Sequence, residues 1–206
     1  MRRLGLLAIA LSTGLPACTA RAGKEDPDSN GDSGGATSWD PVVLRPGYYK
    51  AETFPITLLS AGDPITVRFA SQGGYAMFVG ARASGLAPGT ARVASELVNP
   101  EDGQALVSDA RAIEVVESAD GSGDIEPDFQ SSSNFSHLVP CPNYGTRPVN
   151  GVEWILNLKM SDPEVEARSG SVSVRVIPTC AQGSRYLKCL CECEPNYYFA
   201  KCGAQH

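Results

Sequence analysis

Histidine is almost absent, two residues in 206 (His137 and His206), so chemistry that leans on an imidazole base has little to draw on. No apolar run approaches the roughly 20 residues of a membrane-spanning helix, and the stretch from Leu4 to Leu11 is far too short. Positive charge is in deficit: 17 Lys and Arg stand against 23 Asp and Glu, a net charge of −6. That removes the basic footprint needed to hold nucleic acid or an anionic membrane surface electrostatically. Among seven cysteines no pair has the two-residue gap of a redox motif or of a zinc knuckle. A convincing helical period and an internal repeat are lacking as well.

What remains is a chain rich in Gly (21) and Pro (15), with short apolar runs between turn clusters. The runs "FPITLLS" and "PITVRFA" are split by "AGD", and "TARVASELV" and "QALVSDARAIEVVE" flank "NPEDG" as a hairpin would. In "GVEWILNLKM", residues Val152, Trp154, Leu156, Leu158 and Met160 alternate, as do Val172, Val174 and Val176 in "GSVSVRVIP". Period two with one apolar face is the signature of a half-buried antiparallel strand. About seven to nine such strands predict an all-β domain over residues 41–180, an antiparallel β-sandwich of immunoglobulin-like type. The polar insert at residues 118–136 is too long for a tight turn and reads as a mobile loop or a binding loop.

The N-terminal residues "MRRLGLLAIALSTGLPAC" have a basic start, an apolar stretch and small residues before Cys18, the build of a secretory signal. The ending "LPAC" resembles the bacterial lipobox, which implies a signal peptide over residues 1–17 and a lipidated Cys18. It also implies attachment to the membrane through N-terminal lipid in the cell envelope, at the outer membrane given Thr19 after the cysteine; plain secretion is the alternative. Without Arg2 and Arg3 the 17 basic residues become 15 and the net charge −8, so attachment would rest on lipid and not on charge. Residues 18–40 are dense in Gly, Ser, Asp and Asn and read as a disordered tether. Within it, "GDSGG" resembles a serine-protease signature without the upstream histidine that such chemistry needs. Asp26, Asp28 and Asn30 resemble the start of a calcium loop, but Thr37 stands where the closing Glu belongs.

With Cys18 lipidated, six cysteines remain, an even set in an exported chain, and they read as disulfides. Residues 181–206 form the Cys-rich C-terminal module. Its segment "CECEPNYYFAKC" resembles the second half of an epidermal-growth-factor-like domain, with Tyr197 in the aromatic place and Asn196 in a Gly or Pro place. That resemblance implies a bond between Cys193 and Cys202. A Cys189–Cys191 bridge is strained by its single intervening residue, so Cys141 and Cys180 are each expected to bond one of Cys189 and Cys191.

Tyr48, Tyr49 and Tyr75 are candidate stacking residues for a sugar or a peptide, although strand aromatics more often fill a core. Glu114 with Glu117 and Glu164 with Glu166 are paired carboxylates. The expectation is a lipid-anchored envelope protein that acts by binding, adhesion or structure, without catalysis, cofactor, metal or nucleic acid. A protein or a glycan would be its partner. A carbohydrate-active or hydrolytic protein that uses surface carboxylates is the alternative.

Overall fold

A computed structural model describes residues 40–50, 56–71, 73–165 and 167–203. Cys18, the signal segment, "GDSGG" and the acidic stretch after Asp26 all lie outside the described residues. Residues 38–206 form one compact unit, so the strands and the Cys-rich segment share a single body.

Among the described residues ten strands and one α-helix make up that body: β1 Val43–Tyr48, β2 Thr57–Leu58, β3 Asp63–Phe69, β4 Tyr75–Ser84, β5 Gly89–Val98, β6 Ala105–Glu117, β7 Ile125–Pro127, β8 Ser136–Cys141, β9 Trp154–Ser161, β10 Ser169–Cys180 and α1 Tyr186–Cys193. The all-β class holds, and the hairpin expected around "NPEDG" is the β5–β6 pair, in register from Gly89↔Val115 to Leu97↔Val107, with a shift before Val98↔Ala105. The immunoglobulin-like sandwich does not hold and is corrected to a closed barrel of seven strands, β4-β3-β10-β9-β5-β6-β7, with β7 returning to β4. Two pairings account for the difference. Strand β3 runs parallel to β10, from Asp63↔Val176 to Val67↔Cys180. Short β7 joins β6 through Ile125↔Glu117 and β4 through Ile125↔Ala83, so the seven-strand path closes on itself, with β1–β2 and β8 attached at β4, where a sandwich would have two separate sheets.

The period-two rows point into this barrel and fill it. Trp154, Leu156, Leu158 and Met160 of β9 meet Tyr75, Met77, Val79 and Ala81 of β4 together with Val93 and Leu97 of β5, all buried. Each fully buried large side chain contributes about 1.5–3 kcal/mol, so this packed interior is the main source of stability. Strand β4 is covered on its outer face too, by residues 129–135. There Tyr49 lies 5.2 Å from the Phe135 ring and 6.4 Å from those of Phe78 and Phe129. Close approach fixes β1 across β10: a Cβ on Gly170 would stand 2.5 Å from the Val42 carbonyl oxygen.

The polar insert is therefore part of the wall. It supplies β7 and a short 3-10 turn, Ser132–Asn134, whose Asn134 amide donates to the Asp128 carbonyl at 3.0 Å. Buried Arg82 of β4 clamps it, donating to Glu126 from Nε at 3.1 Å and from Nη2 at 2.9 Å, with a further ion pair to Asp120. Burial alone would lower the Arg82 pKa, but its bonds to Glu126 and the nearby carboxylates outweigh that and raise it. Below β7 the wall continues as β8, laddered to β4 on one side. On its other side the Asp109 carboxylate of β6 accepts from Ser136 Oγ at 2.7 Å and from the His137 N–H at 3.0 Å. A side chain here does what a ladder bond would do elsewhere.

Candidate functional site

Helix α1 is the element that the sequence pattern hides. Read as "CLCEC" the cysteines look extended and alternating; wound into a helix, Cys189 and Cys193 fall four apart on one face and are buried at the barrel end. Cys191 is turned away from that face and is half-buried. The disulfides follow from this: Cys141 with Cys193, Cys180 with Cys189, and Cys191 with Cys202. The Cys193–Cys202 bond implied by the growth-factor-like resemblance is thus corrected, because Cys193 faces inward toward Cys141 whereas Cys191 faces the loop that carries Cys202. Cys141 likewise reaches neither Cys189 nor Cys191.

Around these bonds the C-terminal segment is pinned to the barrel by buried Asn143. Its side-chain amide donates to the carbonyls of Arg147 at 2.8 Å and Cys193 at 3.2 Å, and its Oδ1 accepts from the Gly145 N–H at 2.9 Å. Its backbone donates to the Glu192 carbonyl and accepts from the Tyr197 N–H, both at 2.8 Å. Asn196 takes a left-handed φ of 56°, a conformation that Asn adopts more readily than most residues, and its N–H donates to the Gly145 carbonyl at 2.8 Å.

This clamped loop displays apolar rings to solvent. Phe199 is 95% exposed, Tyr144 73% and Tyr198 63%, with Leu187 of α1 at 67%. Tyr144 meets Tyr197 edge-to-face at 5.8 Å. Beside them a cleft of about 430 Å³ opens between α1 and residues 197–203, lined by Lys188, Glu192, Tyr197 and Phe199. Lys188 and Glu192, one helical turn apart, stand 3.8 Å from each other in that cleft. Partial loss of water, then the charges of Glu192 and Tyr144, raise the Tyr197 phenol above its ordinary value.

The aromatics proposed from sequence lie elsewhere. Tyr48 and Tyr75 are buried in the core, and Tyr49 is half-buried in the Phe78, Phe129 and Phe135 cluster. None of the three offers an open ring face, which corrects their reading as a stacking platform. The Tyr75 hydroxyl donates to the Arg185 carbonyl at 3.2 Å, which helps seat α1. Among the paired carboxylates, Glu114 accepts from Thr90 Oγ1 at 2.9 Å on the outer sheet face, and Glu164 sits in a turn built on Asp162 instead of a strand; Glu166 is not among the described residues.

Other concavities lie along the barrel wall. A pocket of about 410 Å³ at the β6–β8 seam contains Asp109, Arg111, Ser132 and His137. Burial would raise the Asp109 pKa, but the bonds from Arg111, Ser136 and His137 prevail and hold it below the usual carboxylate range. A trough of about 490 Å³ crosses the outer faces of β6, β5, β9 and β10, floored by Ala94, Ala110 and Ser171. One edge of it is a hydrogen-bonded row, Glu96 to Asn157 at 2.8 Å and Asn157 to Ser173 at 2.6 Å.

Among the described residues no helix is long and apolar enough to cross a membrane. No protein-family model matches the chain, and neither a curated protein nor a solved structure matches it.

Proposed function

We propose that this protein is an envelope-anchored binding module that acts without catalysis and meets its partner with the C-terminal clamp. The observation that carries the reading is Phe199, 95% exposed on a loop closed by the Cys191–Cys202 bond and hydrogen-bonded to the 143–145 segment. Water penalises exposed aromatic surface, and apolar rings displayed on a covalently closed loop suit a preorganised contact site. Tyr144, Tyr198 and Leu187 are further exposed apolar side chains of the same clamp, and the Lys188–Glu192 pair in the cleft that Phe199 lines supplies polar contacts for orientation.

Anchoring belongs to the proposal through Cys18 and the "LPAC" ending, with the 18–40 segment as tether. Replacing Cys18 by Ala is expected to abolish metabolic fatty-acid labelling, and persistent labelling removes the lipid anchor. The hydrolytic alternative would centre on the seam pocket, where a carboxylate and an imidazole come together. Asp109 is engaged there by donors from three residues, which suits an anchor of the β8 strand better than a proton carrier.

The test is capture from envelope extract, scored separately for proteins and for glycans, on immobilised wild-type protein and on a Phe199→Ala/Tyr198→Ala variant of unchanged melting temperature. Aromatic anchors contribute about 2 kcal/mol or more each, so capture should fall at least about thirtyfold. Equal capture by both proteins contradicts the assignment of these rings.

A further inference from the structure

Register lines up three rows of side chains across the neighbouring strands β6, β5, β9 and β10. Glu96 stands opposite Ser108 and Asn157, and Asn157 opposite Ser173. Two residues along β5, Ala94 stands opposite Ala110 and Lys159, and Lys159 opposite Ser171. Two further, Arg92 stands opposite Ala112 and Ser161. Val93 and Leu158, between these positions, are buried in the core, while Ala94, Ala110, Lys159 and Ser171 are exposed, so the rows face outward. The first two rows line the trough of about 490 Å³, a volume within the roughly 300–1,000 Å³ of small-ligand sites. A second hollow of about 390 Å³ shares Ala94, Ala110 and Lys159 with it and adds Arg92.

The two sides of this trough differ in chemistry. On one, Ser173 Oγ donates to Asn157 Oδ1 at 2.6 Å and Asn157 Nδ2 donates to Glu96 Oε1 at 2.8 Å, which fixes the orientation of the amide. A carboxylate accepts more than one bond and an amide carries a second N–H, so the row keeps both an acceptor and a donor for a ligand. On the other side, Arg92 and Lys159 form no ion pair among the described residues. Arg111, which also lines the second hollow, is held by Asp109.

We propose that this trough binds a uronate-bearing saccharide, with a sugar carboxylate between Arg92 and Lys159 and sugar hydroxyls on the Glu96–Asn157–Ser173 row. Two uncommitted cations in a chain of net charge −6 call for an anion, and a carboxylate matches the planar guanidinium of Arg92. The hydrogen-bonded row calls for hydroxyls beside that anion. Ala94 and Ala110, between the two sides, leave room for the C–H face of a sugar ring. A peptide strand finds no edge here, because β5 and β9 are hydrogen-bonded to neighbours on both sides. Closely spaced phosphates or sulfates would meet the Glu96 charge, whereas carboxylates spaced by hydroxyl-bearing rings leave that carboxylate a hydroxyl to accept from. The trough shares no lining residue with the cleft beside α1, so the two sites are separate.

The experiment titrates the full chain, with its disulfides formed, by calorimetry against trisaccharides of galacturonate, glucuronate, mannuronate and guluronate and against the methyl ester of each. At least one acid should bind at one site per chain, and its ester at least about tenfold more weakly for want of a charge-assisted bond. Arg92→Gln/Lys159→Gln and Asn157→Ala, in protein that retains the wild-type melting transition, should each weaken that acid at least about tenfold. Phe199→Ala/Tyr198→Ala should bind it as the wild type does. No binding of any of the four acids, equal binding of acid and ester, undiminished binding by Arg92→Gln/Lys159→Gln, or loss of binding in Phe199→Ala/Tyr198→Ala each overturns the site. A sulfated neutral trisaccharide that binds more tightly than every uronate overturns it as well.

Discussion

Asp109 is the residue on which the β6–β8 seam turns, since one carboxylate serves Arg111, Ser136 and the His137 backbone. Truncating it removes the acceptor shared by donors of three residues at a partly buried surface, and Asp109→Ala should cost about 1–3 kcal/mol in urea unfolding. Its folded pKa lies below the 3.8 of a free aspartate. The stabilisation is therefore fully present above the unfolded value and fades as pH falls through the folded one. Wild-type stability should drop on that acid limb, and Asp109→Asn should flatten the drop; an unchanged slope would show that the carboxylate charge does not hold the seam. Asp109 stands in the long alternating run of β6, where sequence alone marks it as one more polar strand residue. What singles it out, the missing ladder between β6 and β8, exists only in three dimensions.

At the level of elements, the 118–136 segment changes meaning between sequence and structure. Its Gly, Ser and Asp content suggests a loop, yet Ile125, Glu126 and Pro127 are buried and join β4 to β6. The Arg82 pair with Glu126 fastens it, with the two side chains only 8% and 4% exposed. Removing one member leaves the other charge buried, so Arg82→Ala should cost about 3–5 kcal/mol, with faster amide exchange concentrated at 118–136. Uniform loss of protection across all strands would contradict a local clamp. The hairpin β5–β6 and the alternating strands β9 and β10 were legible in sequence because period two and turn residues are local signals. Closure was not, because inward and outward alternation is the same in a sandwich and in a barrel. The parallel β3–β10 pairing joins residues more than a hundred positions apart. Helix α1 stayed hidden for a similar reason: its eight residues are too few to show a period, and its buried positions are two cysteines and Glu192.

For the whole molecule, a filled barrel provides the stability and its C-terminal clamp provides the surface. The three disulfides each contribute about 2–4 kcal/mol by restricting the unfolded chain, and two of them tie α1 to the ends of β8 and β10. The clamp was legible as a set of disulfides and illegible as a set of pairs, because partner choice depends on which side of α1 each sulfur faces. Exposed Phe199 and Tyr198 acquire meaning only once that choice is made, since the Cys191–Cys202 bond closes the loop that carries them.

The most direct test is therefore disulfide mapping of the unreduced protein by stepwise partial reduction, alkylation and mass spectrometry. The structure predicts Cys141–Cys193, Cys180–Cys189 and Cys191–Cys202. Recovery of a Cys193–Cys202 bond would contradict the clamp, and with it the assignment of the displayed aromatic rings.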